Sequence, residues 1–252
     1  MRDLIGLLLV LLSAAPVAAQ GRNFDGTNDH LLSANDAVAG LNVDARSWGF
    51  WQIRSGDPAG VQNIYVGMTV EGATPPKSVI NNNGPTVSGF RVRFAADYTT
   101  TDGVWHSPDV TSTARHHVAI TYNRSSGTND PVIYVDGASV TVTETATPAG
   151  TIVTGDDTVK FGEDPAGAND LNAILGTFAI DTQIWTAAMV NRAMWWGRPH
   201  GGLLVYHPWR TAKLADEGSA ADTLTATGTS VVAFTTPVVR PGTADLLGGV
   251  GW

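Results

Sequence analysis

The chain contains no cysteine, and its 252 residues include only four glutamates and three lysines. Without cysteine it can form neither a disulfide framework nor a thiolate metal site. Glutamate and lysine are common on helix surfaces, so their scarcity beside 28 glycines and 29 threonines favours strands and turns. Fifteen basic residues against 23 acidic ones give a net charge of −8, which disfavours nucleic acid as a partner.

The first nineteen residues have the layout of a secretory signal peptide. A charged start at Arg2 and Asp3 precedes an apolar run from Leu4 to Leu12, and small residues follow up to Ala19. An uncleaved membrane anchor is the alternative, but the apolar run is shorter than the roughly 20 residues that span a bilayer. We therefore predict cleavage after Ala19, no stable transmembrane span, and a secreted, extracellular or periplasmic protein.

Strand signals recur at short intervals, so we predict an all-β chain. From Phe90 to Phe94 apolar residues alternate with arginines, which indicates a strand with one buried and one solvated face. Asp136-Gly137 predicts a hairpin, because a two-residue turn needs positive φ angles. The one helical signal runs from Thr186, as N-cap, to Gly197. The predicted strands are residues 48–53, 64–70, 90–94, 117–122, 132–135, 140–143, 158–161 and 177–180.

The spacing of these signals predicts one main domain over residues 20–200. Residues 201–236 carry further strand signals, and they either complete the same sandwich or begin a truncated second module. We favour the first alternative, because about 40 residues cannot bury a core of their own. Residues 237–252 are punctuated by proline and glycine, and we expect an irregular tail there.

Four segments, in order along the chain, resemble motifs of the laminin-G-like, concanavalin A-like lectin and glucanase jelly rolls. The pattern differs at two positions: His30 replaces an aromatic residue, and Arg115 replaces a tryptophan. The resemblance covers about residues 22–197, and it implies an antiparallel β-sandwich of the jelly-roll type with one short helix. The four segments are Phe24-Asp25-Gly26 with Asp29-His30, Arg115 to Tyr122, Val132 to Gly137, and Leu175 to Trp185.

The sequence carries no motif for catalysis. Enzymes on such a scaffold are glycoside hydrolases, which use two carboxylates on one strand or on facing strands. Related glucanases arrange them as Glu-x-Asp-x-x-Glu, a spacing that none of the four glutamates has here. His116 and His117 are adjacent in a predicted strand, so their side chains point to opposite faces and cannot chelate one ion together. We therefore predict that the chain is not an enzyme.

The eight tryptophans divide by their sequence context. Trp48, Trp51 and Trp185 lie in strand runs and are expected in the core. Another lies in the turn-rich stretch 99–108, and two are adjacent on the predicted helix, where at most one is comfortably buried. Aromatic rings commonly stack on sugar faces in sugar-binding sandwiches. The predicted ligand-binding residues are Asp102, Trp105, Trp195 and Trp196.

Loops beside the predicted strand at residues 158–161 are rich in aspartate and asparagine. Such loops often hold calcium in jelly-roll lectins, because carboxylate and amide oxygens are its preferred ligands. The alternative is that these are ordinary solvated loop acids. We expect no obligatory cofactor, with calcium as the one candidate. Its predicted ligands are Asp157, Asp164, Asn169 and Asp170.

The resemblance implies a non-catalytic module that binds glycan or mediates adhesion through loops and exposed aromatic rings. A second hypothesis is a structural or decoration protein of a phage virion or another surface assembly, since similar modules decorate phage capsids and tails. This alternative places the chain on the virion surface. A glycoside hydrolase with a non-standard motif ranks last. The expected partners are a glycan or a cell-surface or virion protein, and a homo-oligomer fits either of the first two hypotheses.

Overall fold

A computed structural model of the chain describes residues 20–33, 43–54, 63–69, 78–82, 89–111, 114–153, 158–162, 171–196, 199, 205–207, 224–227 and 229–233. The predicted signal peptide and the predicted tail lie outside these residues. The described elements are β1 Gln20–Asp25, β2 His30–Ser33, β3 Ala45–Arg54, β4 Asn63–Thr69, β5 Ser78–Asn82, β6 Val92–Ala96, β7 Gly103–His106, β8 His116–Asn123, β9 Val132–Val135, β10 Ala138–Val140, β11 Thr143–Ala146, β12 Thr158–Phe161, β13 Asn172–Asp181, α1 Ala187–Trp196, β14 Val205–His207, β15 Leu224–Thr227 and β16 Ser230–Ala233.

The strands form two antiparallel sheets. The first sheet has the order β10-β9-β8-β3-β13-β1-β16, with β14 beside β13. The second sheet has the order β11-β7-β6-β5-β4-β12-β2-β15. The prediction of an antiparallel β-sandwich with one short helix is confirmed for the described residues.

Strands from the carboxyl-terminal region pair with strands of both sheets. In the first sheet β14 pairs with β13, and β16 pairs with β1, the first strand of the chain. In the second sheet β15 pairs with β2. The two ends of the described chain are therefore joined by backbone hydrogen bonds in each layer.

Aromatic side chains from the facing sides of the two sheets fill the core. Trp48 of β3 packs on Phe94 of β6, with ring centroids 5.3 Å apart. Phe161 of β12 meets Phe178 of β13 edge to face, with centroids 4.5 Å apart. All four side chains are fully buried, so the predicted core position of Trp48 is confirmed. Such burial contributes on the order of 25 cal/mol for each Å² of apolar surface removed from water.

The turn between β9 and β10 has the predicted two-residue geometry. Asp136 and Gly137 have φ angles of 51° and 82°, as a turn of this kind requires. One oxygen of the Asp136 carboxylate accepts a hydrogen bond from the His117 backbone N–H (2.9 Å), and the other lies 2.7 Å from His116 Nδ1. The turn is thereby attached to β8 as well as to its own strands.

Helix α1 covers part of the outer face of the first sheet. Trp185, just before the helix, is buried against Gly49 of β3, where an added Cβ would lie 2.6 Å from the ring. Val190 and Ala193 pack into the same cluster. The Thr186 hydroxyl accepts a hydrogen bond from the Met189 N–H (3.3 Å), as expected for an N-cap. No helix in the described residues has the length and apolar character that crossing a bilayer needs.

The inward face of β3 becomes polar toward the end of the strand. Gln52 is 1% exposed, and its Nε2 and Oε1 atoms have no hydrogen-bond partner in the described residues. It lies opposite His116 of β8, whose Nε2 is likewise buried and unpartnered. Arg54, two residues further, donates from Nη1 to the Gly89 carbonyl oxygen (2.8 Å). The core therefore ends in a layer of buried polar groups.

Candidate functional site

The outer face of the second sheet carries a row of basic residues. Phe94 of β6 is buried in the core, so Arg91 and Arg93, which alternate with the core residues, face outward. His106 of the neighbouring strand β7 lies directly opposite Arg93. We call Arg91, Arg93 and His106 the basic row. The alternation predicted from the sequence around Phe94 is confirmed.

Arg93 and His106 keep nitrogen atoms that the protein does not satisfy. Within the part of the chain that the structure describes, Arg93 forms no hydrogen bond or ion pair. His106 Nε2 is shielded from solvent and has no hydrogen-bond partner. Burial lowers the pKa of His106, and the charges of Arg91 and Arg93 lower it further. A buried polar atom such as His106 Nε2 is unfavourable unless another group satisfies it.

Two carboxylates flank the basic row. Asp102 precedes β7, and its Oδ1 accepts a hydrogen bond from the Tyr98 backbone N–H (3.2 Å). Its charge raises the pKa of Arg93, whereas burial, the larger effect, lowers that pKa. Asp109 Oδ1 lies 3.9 Å from Arg91 Nε, and both side chains are partly exposed, so this ion pair is weak. Asp102 thus lies beside the basic row, and its part in ligand binding stays a prediction.

An apolar strip adjoins the basic row. Ala95 of β6 lies opposite Val104 of β7, two register positions from the pair formed by Arg93 and His106 and on the same face. Ala95 and Val104 pack against each other in a cluster separate from the main core. Ala95 is buried, whereas Val104 and Arg93 are partly exposed, so the outer face of the second sheet places a guanidinium near one apolar side chain.

Trp105 does not present its ring to a ligand, and this prediction was wrong. The residue is 0% exposed, because it points inward from β7, on the side opposite His106. Its ring packs on Phe94 and Tyr122, with centroids 5.9 and 5.2 Å away. Its Nε1–H donates to Asp130 Oδ1 (2.8 Å). Trp105 is a core residue that supports the strand on which His106 lies.

The two helical tryptophans occupy adjacent positions at the end of α1. Trp195 is 47% exposed, as expected for a residue outside the buried stripe formed by Val190 and Ala193. The side chain of Trp196 lies outside the described part of the structure. A role in ligand binding stays a prediction for both residues.

The adjacent histidines of β8 point to opposite faces, as predicted. His116 packs inward on Phe90, with ring centroids 5.3 Å apart. His117 lies on the outer face, where Trp51 packs on it at 5.2 Å and the Arg115 guanidinium lies 4.5 Å from the Trp51 ring centroid. Trp51 is partly exposed on this outer face, so the prediction that it lies in the core was wrong.

Three carboxylates of the described residues bind ring nitrogens of the fold. Such contacts fix aromatic side chains, since each ring nitrogen is held at about 2.8 Å by a carboxylate oxygen. These carboxylates are bound to side chains of the fold itself. The pairs are Asp130 with Trp105 (2.8 Å), Asp136 with His116 (2.7 Å) and Asp181 with Trp185 (2.7 Å).

The predicted calcium ligands Asp157, Asp164, Asn169 and Asp170 all lie outside the described residues. Among the residues that are described, no three histidine or acidic side chains cluster closely enough to hold a metal ion. Calcium binding therefore stays a prediction.

No protein-family model matches the sequence, and no curated protein matches it. The structure is similar to the heptameric SAP-like pentraxin of Limulus polyphemus, with a TM-score of 0.59, 11% identity, and coverage of 90% of this chain and 100% of that chain. It is also similar to a candidate carbohydrate-binding protein of Bacteroides ovatus, with a TM-score of 0.63, 14% identity, and coverage of 88% of this chain and 61% of that chain. The fold is a jelly-roll β-sandwich, as in these proteins. At these identities the likeness establishes the fold alone.

The sequence predicts the outward direction of the arginines but gives them no function. No local pattern in the sequence singles out His106. The missing information was the pairing of β6 with β7, which places His106 opposite Arg93. A second alternation, in which Val104 and His106 flank the inward Trp105, was the available signal in the sequence.

Proposed function

We propose that the chain is a secreted, non-catalytic carbohydrate-binding module, and that glycan binds on the outer face of the second sheet. The observation that carries the proposal is Arg93, which is partly exposed, forms no hydrogen bond or ion pair in the described residues, and shares the outer face with the partly exposed apolar side chain of Val104. Sugars present an apolar ring face beside hydroxyl groups, so a surface with both characters suits them.

Two further observations support this proposal. The Bacteroides ovatus neighbour of the same fold is itself a candidate carbohydrate-binding protein, and the chain spans less than two thirds of its length. Asp130, Asp136 and Asp181 are engaged with ring nitrogens of the fold, so they do not form the pair of open carboxylates that glycoside hydrolysis uses.

A glycan array tests the proposal. We expect the chain to bind a subset of glycans, and we expect the double variant Arg93→Ala/His106→Ala to lose those signals, because it removes the Arg93 guanidinium and the side chain opposite it. Trp195→Ser is the matched control on the opposite side of the sandwich, and it should retain binding. Thermal melting of each variant establishes that it is folded.

Two outcomes contradict the proposal. If the intact chain binds no glycan on the array, a carbohydrate-binding role is refuted. If Trp195→Ser removes binding while the double variant keeps it, the glycan site lies at the helix instead. The same array with EDTA tests the predicted calcium ligands: loss of binding that calcium restores supports them, and unchanged binding excludes a calcium-dependent site.

A structural role in a surface assembly is the second candidate. The observation in its favour is that Trp195 and Ile184 are large apolar residues with 47% and 41% of their surfaces exposed. Such residues suit a contact between subunits. Light scattering after gel filtration tests this role: a stable oligomer that Trp195→Ser/Ile184→Ser converts to monomer supports it, and a monomer at high concentration counts against it.

A further inference from the structure

The outer face of the second sheet carries a hydrogen-bond donor and an acceptor on either side of a small apolar area. Arg93 of β6 lies opposite His106 of β7, and Asp102 lies four residues before His106 along the chain. At about 3.3 Å for each residue, the backbone positions of Arg93 and Asp102 are roughly 13 Å apart along the sheet. Val104 lies between these two levels, because Asp102, Val104 and His106 alternate with the inward residues of β7.

Arg93 and Asp102 attract each other but do not meet. Burial lowers the pKa of Arg93, and the charge of Asp102, the smaller effect, raises it. Arg93 nevertheless forms no hydrogen bond or ion pair in the described residues. One oxygen of Asp102 accepts the hydrogen bond from the Tyr98 N–H (3.2 Å), and the other, Oδ2, has no partner within the described part of the chain. A gap longer than a hydrogen bond thus separates a partly exposed donor from a partly exposed acceptor.

A hydroxyl group suits this gap, because it accepts and donates hydrogen bonds at the same time. At about 2.8 Å for each hydrogen bond, one hydroxyl bridges atoms roughly 5–6 Å apart, and two adjacent hydroxyls span a longer gap. Asp102 and the net charge of −8 would repel an anion, and Arg93 would repel a cation. The pair therefore favours a neutral ligand that is rich in hydroxyls.

The apolar area between Arg93 and Asp102 suits the ring of a sugar. Val104 is partly exposed, and Ala146 of β11, which lies directly opposite Val104, is partly exposed as well. Sugar rings present apolar C–H groups beside their hydroxyls, so one ring can contact both kinds of surface. A ring held by Arg93 and Asp102 would lie on Val104 and Ala146.

We propose that Arg93 and Asp102 bind a neutral saccharide through two adjacent ring hydroxyls. One hydroxyl accepts a hydrogen bond from the Arg93 guanidinium, and the other donates to the Asp102 carboxylate. This inference rests on the proposed carbohydrate-binding function and names the class of glycan. A ring without two adjacent free hydroxyls would satisfy only one of the two residues.

Titration calorimetry with matched hexasaccharides tests the inference. The probes are the methyl glycosides of the 1,4-linked hexamers of glucose, mannose and galactose, each of which has free hydroxyls at C2 and C3 of every ring. The counterpart of each probe is methylated at O3 of every ring, which leaves no two adjacent hydroxyls free. We expect at least one hexamer to bind about tenfold more tightly than its counterpart, because a hydrogen bond to a charged group is lost. The galacturonic acid hexamer should bind more weakly than the galactose hexamer, because Asp102 repels its carboxylates.

Variants then locate the contact. Arg93→Gln and Asp102→Asn should each raise the dissociation constant of the responding probe about tenfold and abolish its advantage over the methylated counterpart. Asp102→Asn keeps an oxygen for the Tyr98 N–H and replaces the second acceptor with a donor, so the turn is retained while the ligand contact is lost. Arg192→Gln on α1 and Asp44→Asn before β3 change exposed residues of the same types, and these matched controls should leave binding unchanged. Thermal melting establishes that each variant is folded.

The outcomes separate this inference from the function on which it rests. Equal binding of the hexamers and their methylated counterparts, tighter binding of the galacturonic acid hexamer, or an advantage that survives Asp102→Asn overturns the inference while carbohydrate binding stands. Binding to glycans on the array but to none of the three hexamers overturns it as well, since the hexamers offer both the cis and the trans arrangement of adjacent hydroxyls. Absence of binding to every saccharide, on the array and in calorimetry, removes the proposed function together with this inference.

Discussion

Acid should destabilise the protein through His117 before its carboxylates begin to titrate. The side chain is fully buried, and burial lowers its pKa to about 3, although the charge of Asp136 opposes the shift. An unfolded chain returns the histidine to a pKa of about 6.5. Between these two values the unfolded state binds a proton that the folded state does not, so stability falls as the pH falls.

The size of the effect follows from the two pKa values. Each unit of difference corresponds to about 1.4 kcal/mol, so lowering the pH from 8 to 5 removes about 2 kcal/mol of unfolding free energy through this one group. Domains are stabilised by only about 5–15 kcal/mol, so the loss is readily measured. His106 also has a lowered pKa, so it too makes stability fall as the pH falls. Because His106 is present in the natural protein and in the variants below, it does not change the comparison between them.

Urea unfolding followed by tryptophan fluorescence at pH 8, 7, 6 and 5 measures the effect. His117→Phe removes the titrating group. The substitution breaks no hydrogen bond at Nδ1, because that atom has no partner in the described residues. The variant should therefore lose about 2 kcal/mol less than the natural protein between pH 8 and 5. Ile120→Val, in the same strand, is the control: it lowers stability by about 1 kcal/mol at every pH and leaves the slope unchanged.

The reasoning is refuted if the natural protein and His117→Phe lose the same free energy over this range. That result would mean that folded His117 takes up its proton near pH 6.5, and hence that water or an acidic group reaches a ring that the structure buries beneath Trp51.

Three further predictions concern stability, and urea unfolding at pH 7.5 checks each of them. Gly137→Ala should cost about 1–3 kcal/mol, because φ is +82° and the new Cβ would collide with Asn191 Oδ1; adding Asn191→Ala should recover part of the loss, and a loss unchanged by it would place the cost in the backbone alone. Trp105→Phe should cost about 2–4 kcal/mol, because it shrinks a buried side chain and leaves Asp130 without the indole donor; a loss below about 0.5 kcal/mol would contradict the buried position. Gln52→Met should raise stability by about 1 kcal/mol, because both amide atoms are buried without a partner in the described residues; a loss of similar size would instead show that the amide is satisfied.

Features that depend on near neighbours in sequence were predictable here. The turn at Asp136-Gly137 needs two positive φ angles, and residue type alone signals them. The N-cap at Thr186 depends on a residue three positions away. The direction of the Arg93 side chain follows from strict alternation along one strand.

Features that depend on pairing across the fold were not predictable. Trp105 follows a turn-rich stretch, and only four residues of β7 show the alternation that sends its ring inward. Trp51 lies in an apolar run, yet it is on the outer face of the first sheet. The reason is that Trp48 points inward, and the alternation along β3 then directs Trp51 outward. The partner of His106 is fixed by a register between β6 and β7 that no local pattern encodes.

The two outer faces of the sandwich differ in whether a helix packs on them, and this explains why the candidate site lies on the second sheet. On the outer face of the first sheet, Trp185 and α1 fill the space above Gly49, and the contacts there are between side chains of the protein itself. On the outer face of the second sheet, no described helix packs on β6 and β7. Side chains of β6 and β7 on this face, such as Arg93 and Val104, are partly exposed. Because these side chains are partly exposed, they are the ones that the proposed ligand could reach without displacing a helix.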